Sequence, residues 1–151
     1  MSDGGVIRLL VFRVGELACA APADLVREIL PQFPATRIPG APDVVRGLVN
    51  VRGNLITVVD GWRALGQPAA AAGSDAATTM LFELGAAPAR RLVGFTVDEV
   101  VDLLSVGGDT LEPRQALPGV DPTLVQAVGR RDGRLFIVLD TDALLSPVFA
   151  S

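Results

Sequence analysis

One segment of this chain occurs twice, and that repeat limits the available folds more than any other feature. Gly53-Asn54-Leu55-Ile56-Thr57-Val58-Val59-Asp60 falls in register on Gly133-Arg134-Leu135-Phe136-Ile137-Val138-Leu139-Asp140, 80 positions further on. Both copies start at a turn glycine, run through a β-rich apolar segment and end in aspartate. Both then continue into a short helical pattern, with Ala64-Leu65 and Leu144-Leu145 in the same register. In the first copy a strand precedes the tight turn Arg52-Gly53, and a second strand covers Asn54 to Val59. Asp60 takes the N-cap position of a helix that Gly66 should stop. In the second copy the hairpin is Val125 to Arg130, Asp132-Gly133 and Leu135 to Leu139, with Asp140 capping a helix that reaches Leu145. A chain built this way contains two related β-subdomains, each with its own hairpin and flanking helix.

The remaining segments add strands. Val6 to Val14 is apolar and β-branched, Gly15-Glu16 is a turn, and Leu17 to Ala21 forms a second short strand. Ala23 to Leu30, ADLVREIL, is either one helical turn or an irregular strand, since eight residues give no decisive period. Pro31, Pro34 and Pro39 keep 31–41 extended or turned. Pro42 to Arg46 reads as a short helical turn closed by Gly47. Strands follow at Thr79 to Leu84, Leu92 to Val97 and Val100 to Val106, the first two joined by a loop containing Pro88. Gly107 to Pro122 is loop-rich. Nine or ten short strands separated by turn signals favour small barrels over a parallel sheet. The expected organisation is a mainly β domain over residues 1–151 with two five-stranded barrels and a few short helices. The subdomains are placed at 15–66 and 79–146, joined by the linker 67–78, with strand 6–14 shared.

Composition then narrows the chemistry. The chain of 151 residues has no His, Lys or Tyr, so all 13 basic residues are Arg. The usual general base, Schiff-base amine, P-loop lysine and phospho-accepting histidine are therefore missing. A net charge of −4 and six Phe with one Trp disfavour nucleic acid, which rewards a basic face with stacking aromatics. No apolar run approaches a membrane span, because Arg8 and Arg13 interrupt the first one. The single cysteine, Cys19, fits a reducing compartment and reads as a small buried group. No metal set or cofactor site is expected.

Candidate chemistry rests on carboxylates and on one arginine. Asp60 and Asp140 read as helix caps, and Asp98, Glu99 and Asp102 as a solvated rim, with no His or Cys to complete a metal site. A carboxylate-dependent hydrolase around Asp98 and Asp102 and an oligonucleotide-binding small barrel are the alternatives to an interaction protein. Trp62 reads as a cover over the end of a barrel, or else as a partner contact. Arg52 stands where the second copy has Asp132, the better residue before a hairpin glycine. It either forks onto a partner's acid or carbonyl, or folds back onto an acid of its own chain.

With VREI at 26–29, TRIPGAPDVVRGLVNVRG at 36–53, LITVVD at 55–60, VGFTVDEVVDLL at 93–104 and DGRLFIVLDTDALL at 132–145, the chain resembles the CheW family of bacterial chemotaxis coupling proteins. The resemblance runs from about Leu9 to Leu145. It implies two five-stranded β-barrels around a shared apolar core. It also implies a non-catalytic cytoplasmic adaptor that joins chemoreceptor cytoplasmic hairpin tips to a CheA-type histidine kinase, recruited to receptor arrays without inserting into a membrane. Carried over residue by residue, the receptor groove falls on Leu10, Val26, Ile29 and Val100, with Glu28 as a neighbouring polar position. Gly47, Asn50, Arg52 and Gly53 match the signature core. The face around Ile38 to Leu48 would meet the kinase's regulatory domain. Asp60-Gly61-Trp62 departs from the family's Asp-Leu, and Ala18 to Pro22 is smaller and less aromatic than usual.

Overall fold

The computed structural model describes residues 5–31, 34–67, 78–85, 91–113, 117 and 119–149, with backbone alone over 147–149. The repeated hairpins form as expected. β4 (Val45–Val51) pairs with β5 (Asn54–Val59), and β10 (Val125–Arg131) with β11 (Arg134–Leu139), both antiparallel. Arg52 and Asp132 both adopt φ 50° ahead of glycines at φ 88° and 77°. Two successive positive φ values give the turn whose twist suits a two-residue hairpin. A short helix follows each copy, α1 (Gly61–Ala64) and α2 (Thr141–Phe149), and Gly66 ends the first at φ 68°.

The other strands fill two sheets in a way the repeat does not announce. β1 (Val6–Val14) and β2 (Leu17–Pro22) form a hairpin, as do β6 (Thr78–Leu84) and β7 (Arg91–Val97). β3 (Val26–Pro31), β8 (Glu99–Gly107) and the two-residue β9 (Glu112–Pro113) complete the set. One sheet has the order β8-β1-β2-β11-β10-β9 and the other β3-β6-β7-β5-β4. Each half of the chain therefore lends its first hairpin to the sheet built by the other half. β2 lies parallel to β11, and β7 parallel to β5. The stretches 15–66 and 79–146 each contribute strands to both sheets, and the sheets have six and five strands in place of five and five. The fold is mainly β with two small β-subdomains.

Three clusters hold this arrangement. Leu30, Val49, Val51, Ile56, Val58 and Leu81 fill the five-stranded unit, and Leu9, Val11, Ala20, Phe136 and Val138 the six-stranded one. A larger cluster lies between them, with Phe95 taking Phe12 and Phe82 edge-on, each at 6.2 Å. Cys19 is fully buried, and burial pushes its thiol up to about 12, so it packs as an apolar group.

Local expectations need correction at several points. ADLVREIL takes up both of its alternatives, a 3-10 turn at Ala23–Leu25 and then strand β3. Pro42 to Arg46 is not helical. A turn closes with the Val45 N–H donating to the Pro42 carbonyl at 2.9 Å, and β4 begins at Val45. The β-branched pair Val44-Val45 favours this outcome. Gly47 then lies inside the strand at φ 149°, where a Cβ would come within 2.3 Å of the Thr36 carbonyl oxygen. That contact is a bridge in which Thr36 and Leu48 exchange backbone hydrogen bonds of 2.8 Å. It brings the chain after β3 to the outer edge of β4. β6 begins at Thr78, and the expected linker residues 68–77 and the Pro88 loop residues lie outside the described residues.

Candidate functional site

The most distinctive surface lies where the two sheets meet, and strand register explains it. β3 and β8 are end strands, each with an irregularity at the same place. Val26 pairs with Phe82 and Glu28 with Leu81, while Val100 pairs with Phe12 and Asp102 with Val11. One residue bulges out between each pair, Arg27 in β3 and Val101 in β8. Val26 and Val100 are thus equivalent, as are Glu28 and Asp102. The next residues, Ile29 opposite Met80 and Leu103 opposite Leu10, are equivalent too.

This register places Ile29 and Leu103 over the central core while leaving them at the free edges of their sheets. Each is 47% exposed. Val26, Val100 and Leu10 pack against the same core and are half-buried. An open depression of ≈ 500 Å³ runs between the two walls, lined by Ile29 and Thr78 on one side and Arg13, Asp98, Glu99 and Val100 on the other. Of the groove residues read from the sequence, Ile29 and Val100 meet in this depression, and Leu10 and Val26 flank it on the shared core. Leu103 went unnamed, although Glu28-Ile29-Leu30 and Asp102-Leu103-Leu104 carry the same pattern and could have pointed to it.

The signature residues are tied to one wall of that groove. Gly47 admits Thr36, as described. Asn50 accepts the Gly53 N–H on its Oδ1 at 2.8 Å and so fixes the hairpin turn. Arg52 folds back across the unit and forks onto Glu28, with Nη1 donating to Oε2 at 3.1 Å and Nη2 to Oε1. Of the two roles open to Arg52, the structure displays the pairing within its own chain. The guanidinium lowers the Glu28 pKa below its usual value.

The candidate kinase-facing residues lie elsewhere, by the far end strand of the five-stranded sheet. Leu48 is half-buried on β4, and Ile38 lines a polar cavity of ≈ 280 Å³ with Arg37, Arg46, Arg63 and Asp60. Asp60 is buried and makes no side-chain cap to α1, contrary to expectation. It takes Arg46 at 3.1 Å and Arg63 at 3.7 Å instead. Asp140 does cap its helix, accepting the Ala143 N–H at 3.1 Å. Gly61 fits because its N–H donates to Thr96 Oγ1 at 3.0 Å, in a space where a Cβ would lie 2.1 Å from the Thr96 carbonyl oxygen. Trp62 is half-buried against the central core, with the Arg63 guanidinium 5.0 Å from its ring.

The rim carboxylates are engaged as well. Asp98 is mostly buried rather than solvated, accepts the Gly15 N–H and lies 3.7 Å from Arg13. Asp102 receives Arg131 through Nε at 3.0 Å and Nη2 at 2.9 Å. Among the described residues no group of three His, Cys, Asp or Glu could hold a metal ion. No helix among them is long and apolar enough to cross a membrane.

Comparison with known proteins decides the family. A model described as the CheW-like domain matches residues 8–148. The chain belongs to the CheW-like family. That family consists of non-catalytic scaffold proteins, so the chain is not an enzyme. This CheW-like chain is 30% identical over 145 residues to the chemotaxis protein CheW of Rhizobium meliloti strain 1021, covering 95% of this chain and 90% of that one. It is 27% identical over 143 residues to CheW of Thermotoga maritima, covering 93% and 88%. Its fold matches the crystal structure of scaffolding protein TtCheW from Thermoanaerobacter tengcongensis with a TM-score of 0.81 at 23% identity, over 92% of this chain and 87% of that one.

Proposed function

We propose that this chain is a chemotaxis adaptor that joins the cytoplasmic hairpin tip of a chemoreceptor to the regulatory domain of a CheA-type histidine kinase. One observation carries the receptor half of this reading. Two end strands hold exposed apolar side chains, Ile29 and Leu103, on the faces that carry Val26 and Val100, each after the same one-residue bulge. Residues of this kind at strand edges suit the apolar stripe of an amphipathic helix. The kinase half rests on family membership and on the separate face around Ile38 and Leu48. Recruitment to receptor arrays follows from these two contacts and needs no membrane insertion.

The catalytic and nucleic-acid alternatives lose their supports. A hydrolase would need the Asp98 or Asp102 carboxylate available to a substrate, yet both are held by backbone or arginine partners. A net charge of −4 disfavours binding to a polyanion.

A binding assay with a receptor-tip hairpin tests the reading. Ile29→Glu puts a charge into a contact that loses its water on binding. It should weaken the complex by about 2 kcal/mol or more, while thermal unfolding stays close to wild type because the position is already half in water. A melting temperature that falls in step with binding would make Ile29 a core residue and remove it from the site.

A further inference from the structure

The groove has two walls, and only the β3 wall has a named polar neighbour, Glu28. On the β8 wall the equivalent residue is Asp102. It makes a similar contact, receiving an arginine from the β10–β11 hairpin of its own sheet. Arg52 sits at the β4–β5 turn and reaches Glu28, and Arg131 sits at the end of β10 and reaches Asp102. Sequence alignment alone obscures this, because Arg131 falls on Val51 and Asp132 on Arg52. The structure restores the correspondence: a clasp from a hairpin tip to the acid just beyond the bulge.

The β8 clasp goes one step further. Asp102 uses one oxygen, Oδ2, for Arg131 and the other, Oδ1, to accept the N–H of Leu103 at 2.8 Å. One carboxylate thus ties the backbone of the exposed Leu103 to the β10–β11 hairpin. β8 needs such a tie, since it is an end strand of nine residues in which none is fully buried.

We infer that Arg131 and Asp102 are positioning residues for the partner helix, and that Leu103 is a contact residue on the second wall of the groove. The inference rests on the groove reading above and extends it from Val100 to Leu103 and to the Arg131–Asp102 pair behind them. Arg131 does not touch the partner. It sets the orientation of Asp102, which in turn fixes the strand edge carrying Val100 and Leu103.

The test is made on the full chain with a receptor-tip hairpin as the probe, and uses Ile29→Glu, Arg131→Gln, Asp102→Asn and Asp102→Glu. Arg131→Gln should weaken binding about fivefold or more, within the usual range of coupling between linked sites. Its melting temperature should stay close to wild type, because a half-exposed ion pair contributes little to stability. Methyl resonances of Val100 and Leu103 should move while those of Val26 and Ile29 stay in place. Asp102→Glu can still fork onto its arginine, as Glu28 does, and should keep most of the affinity that Asp102→Asn loses. The inference is overturned if Arg131→Gln binds like wild type while Ile29→Glu does not. It is equally overturned if the Val100 and Leu103 methyls do not move, or if binding falls only in proportion to folded protein. Full binding by Ile29→Glu would instead sink the groove reading, and this inference with it.

Discussion

Arg52 illustrates how one residue serves the turn and the wall together. Its φ of 50° is one that Asp or Asn would adopt more easily, and Asp132 does so in the second hairpin. Arginine stands there because its reach closes the five-stranded unit onto Glu28. The paired guanidinium holds the Glu28 carboxyl below its usual 4.5. The folded state therefore favours the ionised carboxylate more than the unfolded chain does. That contribution is complete at pH values above the usual glutamate range and disappears as the pH falls through the lowered native value. Comparing acid unfolding of wild type with Glu28→Gln should show the two melting curves converging at low pH and separating towards neutrality. A constant gap across that range would remove the clasp from the stability of the fold. Asp60 makes a second case at this scale. Arg46→Ala leaves a buried carboxylate with one distant partner, Arg63, and should cost about 2 kcal/mol. At this chain length that corresponds to a melting temperature lower by roughly 4–8 °C.

At the scale of elements, the parts of the fold legible in the sequence are those where two independent signals agree. The β4–β5 and β10–β11 hairpins combine a turn glycine with β-branched apolar runs, and both form at the expected positions. The segment 23–30 lies between Pro22 and Pro31 and 42–46 starts at Pro42, and both have too few residues to show a period, so their conformation is set by neighbours. Thr36 pairing with Leu48 decides the course of β4, and nothing in the local sequence points to Thr36. The site was legible only in part for a similar reason. Val26, Ile29 and Val100 follow from the family resemblance and Leu103 from the pattern that Asp102-Leu103-Leu104 shares with Glu28-Ile29-Leu30, whereas Arg131 becomes visible only when the two bulges are aligned in space. Gly61, noted as a departure from the family, is explained by the close Thr96 carbonyl. Gly61→Ala should destabilise the fold by about 3 kcal/mol, at the upper end for overpacking. Gly53→Ala has open space and only its φ of 88° to contend with, and should cost about 1 kcal/mol. Equal melting temperatures for the two variants would contradict this account of α1.

For the whole molecule, the exchange of first hairpins is what makes one domain out of two subdomains. The repeat was visible because sequence similarity survives within each half. Which sheet a hairpin joins is settled by long-range packing around Phe12, Phe82 and Phe95, and that information is spread over the whole chain. Since neither half can complete a sheet, the two subdomains should unfold in a single transition, with sheet content and Trp62 fluorescence lost together. Two separate transitions would mean the exchange does not couple them. The same architecture puts the groove at the junction of the sheets and leaves the Ile38–Leu48 face at a separate edge, so the two proposed partner contacts should be open to independent disruption. That separation is the core of the adaptor reading. The most direct measurement is therefore a paired binding experiment on wild type, Ile29→Glu and Leu48→Glu, each offered a receptor-tip hairpin and a CheA-type regulatory domain. Ile29→Glu is expected to lose the receptor and keep the kinase domain, and Leu48→Glu to lose the kinase domain and keep the receptor. Loss of both partners in either variant, or of neither in both, would contradict it.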